Sequence, residues 1–518
     1  MLNIREDIEG REHVACGSLY RSLVEWASKR PDDIYIVEAE TGRTLTYAQT
    51  LAAVNAMRCF LGEFPCTIAM TLPGGIVSAV VWLSVLSGGH RLIPLAPNAT
   101  DGEKARIASK NAVEMLIVEQ IEQAPGFAPA DATVITRSMC ELLIEQAAYQ
   151  MSIEPKEGSV CLTTSGTTGE PKGVILNERQ IAWTANQVRI NHQISSQDRG
   201  LTVLPFYHVN APVVSLCASL LAGSTVIIAQ RFSRRNFWSW VERYQVTWAS
   251  IVPTVAAILL ETERPSFLPG PLRFMRTGSA SLPAADLQAF EARFGIPLIE
   301  TYGLSEAASM VVANPVPPGT HKAGSAGRPV GIALRICYPR NSEQGERLRD
   351  VEPGATGEIC VAGPSVIDGY QNNSGREAFQ DGWFRTGDLG YLDEDGYLFI
   401  KGRLREVINR GGENIAPREV EEVLIGHPAI REVAAVGRPD AIYGEQVVAY
   451  IAVDEAWNEE RAQELHNYAA QRLSAHKVPV DFVVIDALPR TPTGKVERRL
   501  LRAREQARFA MHARGSIR

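Results

Sequence analysis

A chain of 518 residues, 45% hydrophobic and 21% charged, has an ordinary globular composition and length for about three domains. Its net charge of −7 excludes the general basic footprint of a nucleic-acid-binding protein. Its eight cysteines form no Cys-x-x-Cys pair and no Cys/His cluster, which excludes a zinc ribbon and makes free thiols in a reducing, cytoplasmic compartment the expectation.

Residues 1–12 are charged and lack the apolar core of a secretory signal. Residues 19–28 have helical spacing, and residues 44–47 open a second helix. Short β runs follow at 66–70, 91–95, 116–118 and 133–135. The apolar run 76–86 is too short to cross a bilayer and reads as a buried helix, so no integral membrane segment is expected. Alternation resumes with strands at 200–204, 225–228, 248–252 and 298–301. This pattern predicts an α/β fold of parallel sheets flanked by helices. Between 319 and 402 the chain is rich in Gly, Pro and Asp, with short strands at 357–362 and 397–400, which predicts a small β subdomain. The last 115 or so residues read as a self-contained α+β unit, with helices at 417–424 and 459–473 and strands near 433–436 and 447–453. The boundary is placed at Leu404 and Arg405, giving domains 1–404 and 405–518. The basic tail from 498 to 518 reads as a solvated helix end.

The most informative stretch is Thr163-Thr164-Ser165-Gly166-Thr167-Thr168-Gly169-Glu170-Pro171-Lys172-Gly173. Apolar runs on both sides make it a loop between two short strands. Glycines let backbone N–H groups approach a ligand, hydroxyls donate to phosphate oxygens, and Lys172 adds positive charge. It is not a Walker loop, because Lys172 is followed by Gly173 and a strand rather than by Ser/Thr opening a helix.

The loop resembles the phosphate loop of the adenylate-forming superfamily: acyl-CoA synthetases, peptide-synthetase adenylation domains and luciferases. The resemblance continues in family order through Tyr302-Gly303-Leu304-Ser305-Glu306, Trp383-Phe384-Arg385-Thr386-Gly387-Asp388, Gly402-Arg403-Leu404-Arg405-Glu406, Gly411-Gly412-Glu413-Asn414-Ile415 and Pro492-Thr493-Gly494-Lys495. It covers residues from about 160 to 500 and is nearest the acyl-CoA synthetases. It implies a large N-terminal domain of several subdomains and a small mobile C-terminal domain.

The resemblance also implies site roles. Thr163, Thr164, Ser165, Gly166, Thr167, Thr168 and Lys172 hold the β- and γ-phosphates of ATP. Glu306 is the Mg²⁺ ligand, a hard oxygen donor where a bare carboxylate would repel ATP. Tyr302 stacks on adenine, Glu300, Thr301 and Gly303 lie near the base, and Ser305 stands where many relatives have threonine. Asp388 accepts the ribose hydroxyls and Arg403 adds a donor. Lys495 is the catalytic lysine, bridging the attacking carboxylate and the α-phosphate. Gly411 and Gly412 leave room for the pantetheine of CoA, and His208 matches a gate between the acyl site and that tunnel. Arg405 occupies the hinge position, where aspartate or lysine is usual.

By position, the acyl pocket comprises Val209, Asn210, Ala211, Thr254, Gly278, Ser279, Ala280, Leu304 and Met310. Its lining reads as neutral and mostly small. No aspartate follows the gate, which disfavours an amino acid, whose ammonium would be buried unpaired. The expected enzyme is an AMP-forming acyl-CoA synthetase using ATP, Mg²⁺ and CoA. The alternative is a free-standing adenylation enzyme that loads a carrier protein. A luciferase-like oxygenase or an inactive binding protein is less well served by these residues. The implied partners are a small carboxylic acid, CoA or a carrier protein, with a monomer or homodimer both open.

Overall fold

The computed structural model describes residues 16–124, 126–148, 154–164, 172–268, 270–280, 282–340, 347–371, 375–454, 456–490 and 496–515. The chain divides into two compact units: Met1–Leu334 with Val361–Phe384, and Arg335–Cys360 with Arg385–Arg518. The division falls at Phe384/Arg385, upstream of the expected boundary at Leu404/Arg405. Residues 385–404 join the C-terminal unit because Trp383–Leu392 and Leu398–Arg403 pair antiparallel and carry the chain into it.

The first unit is α/β, as the alternation predicts. A six-stranded sheet has the order Thr133–Thr136, Met115–Val118, Thr67–Met70, Arg91–Pro94, Ser159–Thr164 and Lys172–Asn177, parallel except for the last pair. A nine-stranded sheet places Leu298–Leu304, Phe274–Thr277, Trp248–Ile251, Arg199–Thr202, Thr225–Ile228 and Ile34–Glu38 side by side, all parallel. Strands covered on both faces read as continuous apolar runs, which is why Thr225–Ile228 and Trp248–Ile251 are buried at every position. The helix Ile76–Gly88 is likewise buried throughout. Among the described residues, no helix is long and apolar enough to cross a membrane.

Local chemistry explains the helix starts. Thr46 ends a short strand, Thr44–Thr46, that the sequence reading had merged into the following helix. It caps Tyr47–Leu61 through a box in which its hydroxyl accepts from the Gln49 N–H and the Gln49 side chain accepts from the Thr46 N–H. Asn177 and Gln180 repeat that box where the strand Lys172–Asn177 becomes the helix Glu178–Asn191.

The second unit contains a five-stranded sheet in which Gly444–Val453 pairs with Ile408–Arg410, Asp481–Val484 and, in a long hairpin, the edge strand Ile430–Asp440. One apolar face packs Ile408, Val420, Leu424 and Leu465, bringing in the helices Pro417–Leu424 and Glu459–Ala470. The other face packs Val436, Val448, Tyr450 and Leu501. Leu501 lies in Arg498–Gly515, so the basic tail is a docked helix and not the solvated end expected of it. Its counter-charges are supplied from elsewhere in the unit. Arg498 Nη2 donates to Glu421 Oε2 at 2.7 Å, and the fully buried Glu505 accepts from Tyr450 Oη at 2.6 Å and pairs with Arg438. A net basic segment reads as solvated from sequence because its partners lie about 60 to 80 residues away in the chain.

Glu505→Ala leaves the buried Tyr450 hydroxyl without its acceptor and leaves Arg438 with Asp481 as its one carboxylate partner among the described residues. We expect it to lower the unfolding free energy of the second unit by about 3 kcal/mol; a urea transition followed by tryptophan-independent circular dichroism, unshifted from the parent, would refute this.

Candidate active site

The phosphate-loop sequence lies between two antiparallel strands, Ser159–Thr164 and Lys172–Asn177, whose last matched pair is Thr164 with Lys172. These are the two flanking strands the sequence predicts. Residues 165–171, including Ser165, Gly166, Thr167 and Thr168, lie outside the described residues, as does Lys495. The hairpin is anchored at its base. Gly158 donates its N–H to the Leu86 carbonyl at 2.9 Å, and a Cβ there would fall 2.0 Å from the Val85 carbonyl oxygen, so only glycine lets this backbone lie against the buried helix. Thr163 is exposed.

Lys172 begins the second strand. Its ammonium sits 4.8 Å from the centre of the Tyr370 ring and 3.7 Å from Glu377 Oε1. Tyr370 Oη in turn donates to Glu306 Oε1 at 2.7 Å. Burial and the adjacent Glu306 push the Tyr370 phenol well above its usual range, so it stays a donor. Lys172 and Glu306, 134 positions apart in the sequence, are thus joined through one tyrosine.

Glu306 is presented by a turn that the sequence builds tightly. The strand Leu298–Leu304 leaves its parallel neighbour and pairs antiparallel with Ser309–Ala313, with Leu304 opposite Ser309. The link is the 3₁₀ turn Ser305–Ala307, followed by positive φ at Ala308 (54°) and Ser309 (100°). A Cβ at Gly303 would fall 1.7 Å from the Ser309 carbonyl oxygen, so Gly303 is required for the turn itself. The Ile367 N–H donates to the Glu306 carbonyl at 2.9 Å. Tyr302 is mostly buried beside the turn, and the Gly324 N–H donates to Glu300 Oε2 at 3.0 Å. Ser305 and Leu304 are half-buried. One oxygen of Glu306 accepts from Tyr370, and no described residue donates to the other. No cluster of three or more His, Cys, Asp or Glu suited to a metal occurs among the described residues. A single carboxylate oxygen fits Mg²⁺ that is held mainly by phosphate oxygens and water.

Most of the residues expected to form the acyl pocket follow the C-terminal ends of parallel strands, where open α/β sheets bind ligands, whereas Met310 lies in the antiparallel strand Ser309–Ala313. Val209, Ala211 and Met310 are buried, while Thr254 and Ala280 are exposed. Asn210 precedes the π-helical segment Ala211–Cys217, and its Nδ2 donates to Ser279 Oγ at 3.3 Å. Ser279 holds a positive φ of 71°, and Gly278 approaches Thr301 closely. His208 is half-buried, its ring 4.5 Å from that of Tyr207. A buried cation lies behind these residues. Arg276, fully buried in Phe274–Thr277, donates from Nη1 to Asn210 Oδ1 at 2.7 Å and from Nη2 to Thr301 Oγ1. Together with Arg273 it depresses the neighbouring His192, where burial is the larger cause, to about 3. Reading the lining by position, from residues 209–211, 254, 278–280, 304 and 310, leaves Arg276 out. The signal was a charged side chain at an inward position of an otherwise apolar strand. Tyr370 was missed because nothing in its local sequence marks it.

In the second unit Asp388 and Arg403 face each other across paired strands, Nε to Oδ1 at 3.1 Å, with Asp388 mostly buried. Gly387, at φ 73°, turns the chain just before Asp388. Gly411 and Gly412 form the tip between Ile408–Arg410 and Glu413–Ile415, at φ 62° and 93°. A Cβ at Gly412 would meet nothing within 4 Å. Arg405 lies in the turn Leu404–Glu406, whose carbonyls are gripped from the C-terminal helix: Arg502 donates to Arg405 O at 2.7 Å and to Val407 O at 3.1 Å.

Comparison with known proteins agrees with this layout. Residues 23–371 match the family described as AMP-binding enzyme, and residues 419–495 match the AMP-binding enzyme C-terminal domain. The chain belongs to the AMP-binding enzyme family. It is 36% identical to a sulfoacetate–CoA ligase of Cupriavidus necator, over 91% of this chain and 95% of the relative. It is 34% identical to an oxalate–CoA ligase of Arabidopsis thaliana, over 84% and 87%. Among solved structures it is similar to an O-succinylbenzoate coenzyme A synthetase of Bacillus subtilis in complex with ATP and magnesium, at 30% identity and TM-score 0.81, covering 93% of this chain and 98% of the other. The adenylate-forming family expected from the motifs is therefore the right one, and the activity is that of an acid–thiol ligase.

Tyr370→Phe removes the donor to Glu306 and leaves the ring beneath Lys172. We expect kcat/KM for ATP·Mg²⁺ to fall about tenfold, the scale of one hydrogen bond to a charged group, with the KM for CoA unmoved. Steady-state kinetics in both substrates check this, and a parent-like ATP parameter would count against the link.

Proposed function

We propose the following division of labour among this chain's residues for the reaction of an AMP-forming acyl-CoA synthetase. A carboxylic acid is activated by ATP as an acyl-adenylate with release of pyrophosphate, and the acyl group then passes to the thiol of CoA with release of AMP. The observation that carries the assignment is the Lys172–Tyr370–Glu306 cluster, which sets a cation and a metal-binding carboxylate together beside the loop hairpin. In this reading residues 163–168 and Lys172 hold the β- and γ-phosphates. Bound at Glu306, Mg²⁺ neutralises phosphate charge as pyrophosphate departs. Tyr302 meets adenine, and Ser305 reaches the α-phosphate. Asp388, opposed to Arg403, takes the ribose hydroxyls.

Lys495 aligns the acid's carboxylate with the α-phosphate. Gly411 and Gly412 admit the pantetheine arm, the Cβ position of Gly412 being open, with His208 between it and the acyl pocket. The acceptor is read as CoA rather than a carrier protein because the relatives are CoA ligases. They act, by name, on sulfoacetate, oxalate and O-succinylbenzoate, acids that differ in size and shape. The family resemblance supports a cytoplasmic enzyme, with monomer and homodimer equally compatible.

Lys495→Ala tests the first half-reaction. It should cut acid-dependent adenylate formation by on the order of a hundredfold, the scale of one lost transition-state charge contact. Thioester formation from a pre-made acyl-adenylate should survive. Equal losses in both half-reactions would make Lys495 a structural residue.

Lys495 and the Gly411–Gly412 tip lie on different segments of the small domain, so residues 405–518 should turn about Arg405 between half-reactions. Proline at 405 fixes φ near about −65°. Arg405→Pro should keep pyrophosphate exchange while CoA thioester formation falls steeply. Wild-type rates for both steps would place the hinge elsewhere.

A further inference from the structure

Arg276 stands in the middle of the parallel nine-stranded sheet with 2% of its surface exposed. Its bonds are to neutral atoms only: Nη1 donates to Asn210 Oδ1 at 2.7 Å and to Ser250 Oγ at 3.2 Å, and Nη2 donates to Thr301 Oγ1. Nε has no partner among the described residues, and no described carboxylate pairs with the guanidinium. Arg385, in the other unit, shows the usual solution. It is equally buried, and Glu358 Oε2 accepts from its Nε at 2.9 Å and from its Nη2 at 2.6 Å. A buried guanidinium stays charged, and without an opposing charge its desolvation is left uncompensated.

The cation backs one wall of the acyl pocket. It holds Asn210 by the amide oxygen, so the Asn210 amide nitrogen is polarised and directed toward Ser279 Oγ, 3.3 Å away. Ser279 is exposed at the strand end, and its positive φ fixes it there. A Cβ at Gly278 would come within 3.0 Å of Arg276 Nη2, so no side chain at 278 covers the guanidinium. Donors of Asn210 and Ser279, with a full positive charge directly behind them, form a subsite for an anion.

We propose that this subsite makes the enzyme selective for a small acid bearing a second anionic group, a carboxylate or a sulfonate, besides the carboxylate that is adenylated. The inference rests on the acyl-CoA synthetase reading above. The second group takes no part in bond making. It is bound as an anion by Asn210 and Ser279, and Arg276 is a positioning residue that acts through Asn210 and through its charge. The site thereby repays the buried cation only when the right acid is present, which is discrimination by an otherwise uncompensated group.

The test uses the full-length enzyme and pairs of acids, each small ω-carboxy or ω-sulfo acid beside its methyl-terminated counterpart, with pyrophosphate release and CoA thioester both measured. The wild type should favour the anion-bearing member by about a hundredfold in kcat/KM. Arg276→Met should bring that ratio to about threefold, chiefly through the KM for the acid and not through that for ATP·Mg²⁺. Arg276→Lys, which keeps the charge, should retain most of the preference. A wild-type preference for the methyl-terminated acids, or a ratio that survives in Arg276→Met, would overturn the proposal while thioester formation leaves the ligase reading intact. Should Arg276→Met fail to fold, the wild-type ratio and Arg276→Lys decide. Absence of thioester with every acid would overturn both readings.

Discussion

Adenylation forces a carboxylate against a polyphosphate, and the repulsion between those anions is the constraint to which the placement of charge in this chain responds. Hydrogen-bond donors alone would hold ATP. They would not let a second anion approach it. In the reading proposed above, the first unit answers this with a cation and a metal-binding carboxylate. Lys172 is held over Tyr370 at the loop hairpin, and Glu306 is turned toward the same ring, where a carboxylate is useful only with a divalent cation. The tyrosine prevents Lys172 and Glu306 from neutralising each other directly. It touches the cation through its ring face and the anion through its hydroxyl, while the Lys172 ammonium also lies 3.7 Å from Glu377 Oε1.

The fold supplies positions for these charges by a repeated device. Parallel strands end together, and the chain must do something unusual beyond each end. After Leu298–Leu304 it reverses through a 3₁₀ turn with two positive-φ residues and presents Glu306. After Phe274–Thr277 it passes Gly278 and the strained Ser279. After Arg199–Thr202 it runs through His208 and Asn210 into a π-helical turn. Strained backbone of this kind costs about 1–3 kcal/mol per residue and persists here because the strands behind it are buried on both sides. Rigidity of the sheet is what permits irregularity at its rim.

Much of this was legible in the sequence, and the parts that were not have common physical causes. Short, mostly apolar runs gave Thr225–Ile228 and Gly357–Ala362 to the residue, the second despite the buried Glu358 inside it. Motifs gave Glu306, Asp388 and Arg403, and the structure opposes the last two across a strand pair. What escaped was anything whose meaning depends on a distant partner. Tyr370 matters only because Lys172 and Glu306 are folded onto it. The tail helix is basic in isolation, yet Arg498 meets Glu421, and Arg502 meets the carbonyls of residues 405 and 407. Residues 385–404 looked like the end of one domain because their own pattern cannot show which unit their pairing serves.

Three arginines measure how the same chain treats a buried cation. Arg385 is matched by the buried carboxylate of Glu358, a pair whose charges cancel locally. Arg58 lies 4.6 Å over the ring of Tyr20 and donates to the Glu154 carbonyl at 2.8 Å, so a π-face and a backbone dipole stand in for an anion. Arg276 has neither. Its acceptors are an amide and two hydroxyls, which orient the guanidinium without balancing it, and burial alone lowers its pKa, to about 10. Orientation by neutral groups leaves the field of the cation uncompensated by any described carboxylate. In Arg385 and Arg58 the counterpart is part of the fold. At Arg276 no described residue supplies one, and in the reading proposed above the acid takes that part.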